Sequence, residues 1–140
     1  MLSPVRTALM ALLESDRRGM PSSIDVVIAN DSLLRDLNQR FRAIDSSTDV
    51  LSFPAPSNPI GLLGDVAVSW DFAERQASQR KVRIVEEAAM LAVHGALHLL
   101  GMDDSTESGR LAMVQRQNMV MQAVGFPTDQ DWCSLPHGGK

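Results

Sequence analysis

A chain of 140 residues, 44% hydrophobic and 21% charged, holds apolar material for one core and little room for a second domain. Its formal charge of −4 argues against a protein that coats nucleic acid through bulk positive charge, although it allows a local basic cleft or a metal site. The single cysteine, Cys133, excludes an internal disulfide, the first residues lack a signal-peptide pattern, and the longest apolar run, Ala88 to Leu100, is too short to span a bilayer, so a cytoplasmic protein away from membranes is expected.

Ser3-Pro4 reads as an N-cap followed by proline at the first helical position, with Val5, Ala8, Leu9, Leu12 and Leu13 on one stripe and a stop near Arg18-Gly19. From Ser23 to Asn30 the chain is β-branched, and Ile24, Val26 and Ile28 alternate, which predicts a strand. Asp31 is placed to cap a second helix, with Leu34, Leu37 and Phe41 inward and Asn38, Arg40 and Arg42 toward solvent or a cleft. Thr48 to Pro54 predicts a short strand that ends at proline. Leu63 to Ser69 predicts a third, and the loop between them suits a hairpin-like return. Asp49 and Ser52 are expected to close hydrogen bonds of the strand, with Ser52 in reach of a cleft.

Trp70 to Arg80 reads as a polar helix, and Ile84 to Leu100, apolar nearly all round in its second half, as a central buried one. Thr106 to Val124 predicts a last amphipathic helix ending at Gly125 and Pro127, with Met113, Met119 and Met121 as core filler. Residues from Thr128 onward have no periodicity, so the domain is expected to span 1–127 and residues 128–140 to form a loose tail in which His137 is solvated. The fold class is α+β: a single domain with one small mixed β-sheet packed against helices. Strand order is not readable from the sequence.

Within the central helix, His94 and His98 stand four residues apart, which puts both imidazoles on one face, one turn apart. Gly101 stands where a left-handed residue ends a helix, so the chain can turn back and bring Asp103 or Asp104 beside them. Two imidazoles and one carboxylate, with a position left open, describe a catalytic zinc site rather than a structural one. Gly95 costs about 0.5–1 kcal/mol relative to alanine inside a helix, which calls for a close neighbour there, another backbone or a substrate. A histidine pair at this spacing also occurs as plain core, and Asp104-Ser-Thr-Glu107 is a good capping box for the last helix, so both readings of Asp104 stay open. The spacing H-x-x-x-H-x-x-G-x-x-D is metzincin-like. However, the glutamate that zinc peptidases use after the first histidine is Gly95 here, which disfavours peptide hydrolysis.

Taken whole, His94-Gly-Ala-Leu-His98-Leu-Leu-Gly101-Met-Asp103-Asp104 resembles the H-G-x-L-H-L-x-G-x-D-H signature of the YbeY family of bacterial ribosomal-RNA maturation endoribonucleases. The resemblance continues in Leu37-Asn38-x-x-Phe41-Arg42-x-x-Asp45-x-x-Thr48-Asp49-Val50-Leu51-Ser52-Phe53-Pro54 and in Leu63-Gly64-Asp65-Val66. It implies an α+β fold, one zinc (Zn2+) per chain, and cleavage of single-stranded RNA rather than DNA. It also implies work on the small ribosomal subunit, in 16S rRNA 3′-end maturation and ribosome quality control. On that resemblance His94 and His98 are metal ligands, Asp104 takes the third place that the family fills with histidine, and Arg42 is the arginine of the cleft.

The chemistry expected of this set is metal-assisted phosphodiester hydrolysis, with Arg42 neutralising charge that grows on the phosphoryl oxygens. No residue stands out as a general base; Asp103 is the candidate, or else a partner to an imidazole or an alternative ligand. Two departures bear on function. Ala43-Ile44 stand where the family has Gly-Lys, which weakens the electrostatics for RNA, and the family's strand before the opening helix is missing, so the sheet is expected to be a strand short. The competing readings are a ribosome-associated zinc protein without catalysis and a metallopeptidase whose base lies elsewhere.

Overall fold

Alternating side chains in three short segments build one mixed sheet, in the order β1 (Ser23–Ala29), β3 (Leu62–Ser69), β2 (Val50–Pro54). The structure, a computed structural model, describes residues 2–16 and 22–134. β3 returns antiparallel along β2, as the loop between them predicts, and pairs in parallel with β1, from which it is separated by α2 (Asp31–Arg42) and β2. Register assigns the faces. Val26 lies opposite Val66, and Ile28 opposite Val68, which pairs in turn with Val50; Val27, Ala67 and Leu51 point the other way.

The first face is covered by α4 (Ile84–Leu99), which is buried continuously from Glu87 to Leu97 because α1 (Ser3–Ser15), α3 (Trp70–Arg80) and α5 (Glu107–Ala123) pack around it. A helix with no solvent face has no use for a polar stripe, which explains a run that is apolar apart from Glu87 and the two histidines. Where α4 meets the sheet, a Cβ at Gly95 would lie 2.8 Å from Val66 Cγ1 and 3.0 Å from Val50 Cγ2. The close neighbours at Gly95 are strand side chains.

On the other face α2 sets Leu34 against Leu51 and Ala67. Several sequence expectations are corrected here. Asn30, not Asp31, caps α2 by accepting from Leu33 N at 2.9 Å. Asp31 instead accepts from Ser69 Oγ at 2.6 Å and pairs with Arg75 at 3.0 Å, which ties α2 to the start of α3. Asn38, expected outward, is buried because the loop after α2 folds over it and offers the Ser46 carbonyl to its Nδ2 at 3.0 Å. Phe41, expected inward, is 65% exposed, its ring set edgewise against Phe53 at the open end of α2. Ala43 closes α2 in the left-handed region (φ 58°), where alanine is about 1 kcal/mol less favourable than glycine. At the first helix Leu2 occupies the cap position and Ser3 already lies in the first turn. Met113 and Met121 are core, while Met119 is exposed.

Residues 128–134 are not a loose tail. Asn118 and Asp129 exchange two hydrogen bonds of 3.0 Å, and Arg80 pairs with the Asp129 carboxylate. Trp132 is 1% exposed, with Nε1 donating to Glu87 Oε2 at 2.8 Å. A long aperiodic segment can still belong to the core when one large side chain is buried with its polar atom satisfied. The expected helix stop at Arg18-Gly19 and the reading of His137 lie outside the described residues. Among the described residues no helix is long and apolar enough to cross a membrane. Trp132→Ala should lower the stability of the full chain by about 3–5 kcal/mol, read by chemical denaturation; a loss below about 1 kcal/mol would return residues 128–134 to the status of a tail.

Candidate metal centre and cleft

α4 carries His94 and His98 with their ring centroids 4.9 Å apart, edge to face. Each imidazole is fixed through Nδ1. His94 Nδ1–H donates to Gln117 Oε1 at 2.9 Å, and His98 Nδ1–H donates to the Met102 carbonyl at 3.1 Å. Both partners are oxygens that only accept, so each ring carries its proton on Nδ1 and keeps the Nε2 lone pair for another ligand. The amide of Gln117 is turned this way by its own donor, Nε2, which lies 3.3 Å from Met90 Sδ.

The turn after α4 does two things at once. Gly101 takes φ 99°, its N–H bonds the His98 carbonyl and that of Met102 bonds the Leu97 carbonyl, both at 3.0 Å, which is the Schellman pattern the glycine predicts. This aims the Met102 carbonyl at His98 and brings the chain back over the imidazole pair. Asp104 Oδ2 then lies 3.4 Å from His94 Nε2, and Oδ1 lies 3.6 Å from His98 Nε2. One ligand atom from each of the three residues falls within a 4.8 Å span. A tetrahedral ion about 2.1 Å from each ligand would space such atoms roughly 3.4 Å apart, so the set fits a divalent metal. His94 Nε2 adds a second indication, being buried with no hydrogen-bond partner, a costly state that a cation would relieve.

The capping alternative for Asp104 is answered by its neighbours. Thr106 caps α5, its Oγ1 accepting from Gly109 N at 3.1 Å. Gly109 is required there, because a Cβ would lie 2.2 Å from the Asp103 carbonyl oxygen. Asp103 stands exposed on the rim of the cleft, its Oδ1 accepting from Ser105 N at 3.0 Å and its Oδ2 from Ser105 Oγ at 2.7 Å. These bonds hold its carboxyl below the usual carboxylate range, which makes it a turn-former and a weak base. The sequence reading of Asp103 as general base has no support in this geometry.

Arg42, at the end of α2, turns into the cleft instead of lying free on the surface. Its Nη2 donates to the Ser52 carbonyl at 2.7 Å, and its Cζ lies 5.8 Å from the Phe53 ring centroid. Burial lowers its affinity for the proton, but a guanidinium begins so far above neutral pH that it stays charged. Together with His94, His98, Ser52 and Asp103 it lines a cleft of about 350 Å³. Ser52 does reach this cleft, with Oγ donating to the Gly95 carbonyl at 2.8 Å, whereas Asp49 is wholly internal and accepts from Val50 N at 2.7 Å.

Sequence reasoning missed two residues of this environment. Gln117 is a polar side chain in the buried stripe of α5 between Met113 and Met121, an interruption that could have marked it. Trp132 packs its ring 5.1 Å from that of His94, from a segment with no pattern to betray it. Beneath Trp132, burial pushes the Glu87 carboxyl above the usual range, while the Trp132 N–H and the Arg80 charge draw it back.

The family model described as Endoribonuclease YbeY matches residues 2–125. Among relatives, Endoribonuclease YbeY of Desulforamulus reducens is 34% identical over 90% of this chain and 88% of its own. That of Moorella thermoacetica is 35% identical with the same coverage, and that of Wolinella succinogenes is 40% identical over 77% of this chain and 76% of its own. The solution structure of TM1509 from Thermotoga maritima superposes with a TM-score of 0.63 at 25% identity, covering 89% of this chain and 81% of that one. A family match across nearly the whole chain, joined by relatives similar over most of both lengths, establishes that this chain belongs to the Endoribonuclease YbeY family.

Proposed function

We infer that the protein is a metal-dependent endoribonuclease, a hydrolase that cuts phosphodiester bonds in single-stranded RNA. Its setting in this reading is the cytoplasm, where it trims the 3′ end of 16S rRNA and takes part in quality control of the small ribosomal subunit. The observation that carries the reading is the cluster of His94, His98 and Asp104, whose two imidazoles line one cleft with Arg42, in a chain of this family. Two imidazoles and a carboxylate suit zinc with an open position. When bound, such an ion supplies Lewis acidity and lets water act as a nucleophile near neutral pH.

The chain's own residues would do the remainder. Gln117 and the Met102 carbonyl hold the two Nε2 atoms toward Asp104. Arg42, which lines the cleft beside both imidazoles, would bind non-bridging phosphate oxygens and take up charge as it grows. Asp103 keeps the turn closed at the rim. With Asp104 as third ligand a divalent ion carries a formal charge of +1, against +2 with a third imidazole, which makes the site a weaker acid and more receptive to manganese.

Purified protein should hold about one zinc per chain by elemental analysis. The metal should be lost in His94→Ala, His98→Ala and Asp104→Ala, and kept in Asp104→His; stoichiometric metal in Asp104→Ala would remove Asp104 from the ligand set. Gln117→Leu should bind metal about 10–100-fold more weakly in competition with a chelator, because a freed imidazole loses its fixed tautomer; unchanged affinity would make Gln117 plain core. Arg42→Ala should lower kcat/KM on single-stranded RNA by about 10²–10³ with zinc content intact. Arg42→Lys should recover little, since an ammonium lacks the planar fork. Full activity in the alanine variant would take Arg42 out of the mechanism, and metal-loaded wild-type protein that leaves RNA intact would favour a non-catalytic ribosome-binding role.

A further inference from the structure

The sheet face turned toward α2 carries a second groove, of about 840 Å³, which the hydrolytic reading leaves unused. α2 covers only the end of that face where Leu34 meets Leu51 and Ala67. Beyond it the groove runs along Phe41, Phe53, Leu33 and Val27, with Asp65 at its side. Arg42, Ser52 and Pro54 line this groove and the metal cleft alike, so the two are continuous around β2. Within it Phe41 is 65% exposed, an unusual state for a phenylalanine, and its ring is braced edgewise against Phe53 at 5.3 Å and 64°. Arg42 sits over the Phe53 ring on the path from one groove to the other.

We propose that Phe41 and Phe53 form a stacking platform for bases of single-stranded RNA that lie beyond the two flanking the scissile phosphate, a reading that rests on the endoribonuclease function above. Continuity with the metal cleft favours this occupant, and charge favours this mode. The chain is net negative, and Arg35, Arg40 and Arg75 are each paired with a carboxylate, so a strand gains from contacts other than those to its phosphates. Stacking on aromatic rings supplies sequence-tolerant affinity that needs no such charge. Asp65 repels a phosphate but accepts from the exocyclic amine of a base, so the groove takes bases with the backbone passing at Arg42.

The test uses the metal-loaded full chain with three probes: a fluorescent, uncleavable 2′-O-methyl RNA decamer for binding, an ordinary RNA decamer for cleavage, and a dinucleoside monophosphate too short to reach the platform. Phe41→Ala should bind the decamer about tenfold more weakly and raise its KM by a similar factor, with kcat and cleavage of the dinucleotide unchanged. Phe41→Trp should bind at least as well as the wild type, and Phe41→Leu should resemble the alanine variant. Equal binding by wild type and Phe41→Ala overturns the platform and leaves the groove to an apolar protein partner; rescue by leucine overturns it too, since an aliphatic chain has no ring face. Wild-type protein that binds the decamer through Phe41 yet cuts neither substrate overturns the hydrolytic reading and upholds the platform, whereas failure to bind the decamer overturns both.

Discussion

The hydrogen bond from Ser52 Oγ to the Gly95 carbonyl, 2.8 Å long, forms only because α4 and β2 meet with no side chain between them. The same serine uses its own carbonyl to hold the Arg42 guanidinium. One residue of one strand thereby locates both the helix that carries the imidazoles and the arginine that ends α2. Val50 and Val66, which press on Gly95 from the sheet, set the height of the helix above it. A larger residue at Gly95 would lift α4 from the strand and pull the imidazoles away from the arginine, in addition to straining the core.

Around that contact the candidate metal centre is braced by buried polar groups that bond one another. Gln117 spends its oxygen on His94 and its nitrogen on the Met90 sulfur; Trp132 spends its N–H on Glu87 while its ring backs His94. Networks of this kind are costly when half complete and rigid when whole, which suits side chains that must present two lone pairs to one point. The C-terminal segment thus belongs to the centre as much as to the core, because without Trp132 one side of His94 would lose its packing.

Spacing made the chemistry legible and left the surroundings dark. The pair His94 and His98, the glycine at 101 and the returning acid at 104 follow from helix periodicity and one left-handed turn, both local rules. Pairing of β1 with β3 is a contact between distant segments, and no local rule carries it. Asn38 and Phe41 were placed on the wrong sides because amphipathic reasoning supposes that a helix lies on a complete surface; α2 lies on part of a small sheet, with a loop folded over its polar residue. Trp132 was missed for a related reason: a single anchor has no period. Asp104 was legible as a turn-back acid, yet only the geometry of Thr106 and Gly109 separates it from a cap.

Ala43, one residue beyond Arg42, holds a left-handed conformation that alanine adopts reluctantly. Whatever strain the closed end of α2 carries is released when that turn opens, so a cost of about 1 kcal/mol enlarges the opened population roughly fivefold over that of a glycine-ended helix. The amide protons of Ala43 and Ile44, bonded to the Gln39 and Asn38 carbonyls, are the ones such opening delivers to solvent exchange. The arginine of the cleft is the residue before this turn, so the end of α2 that carries it is the less stable by a single methyl group.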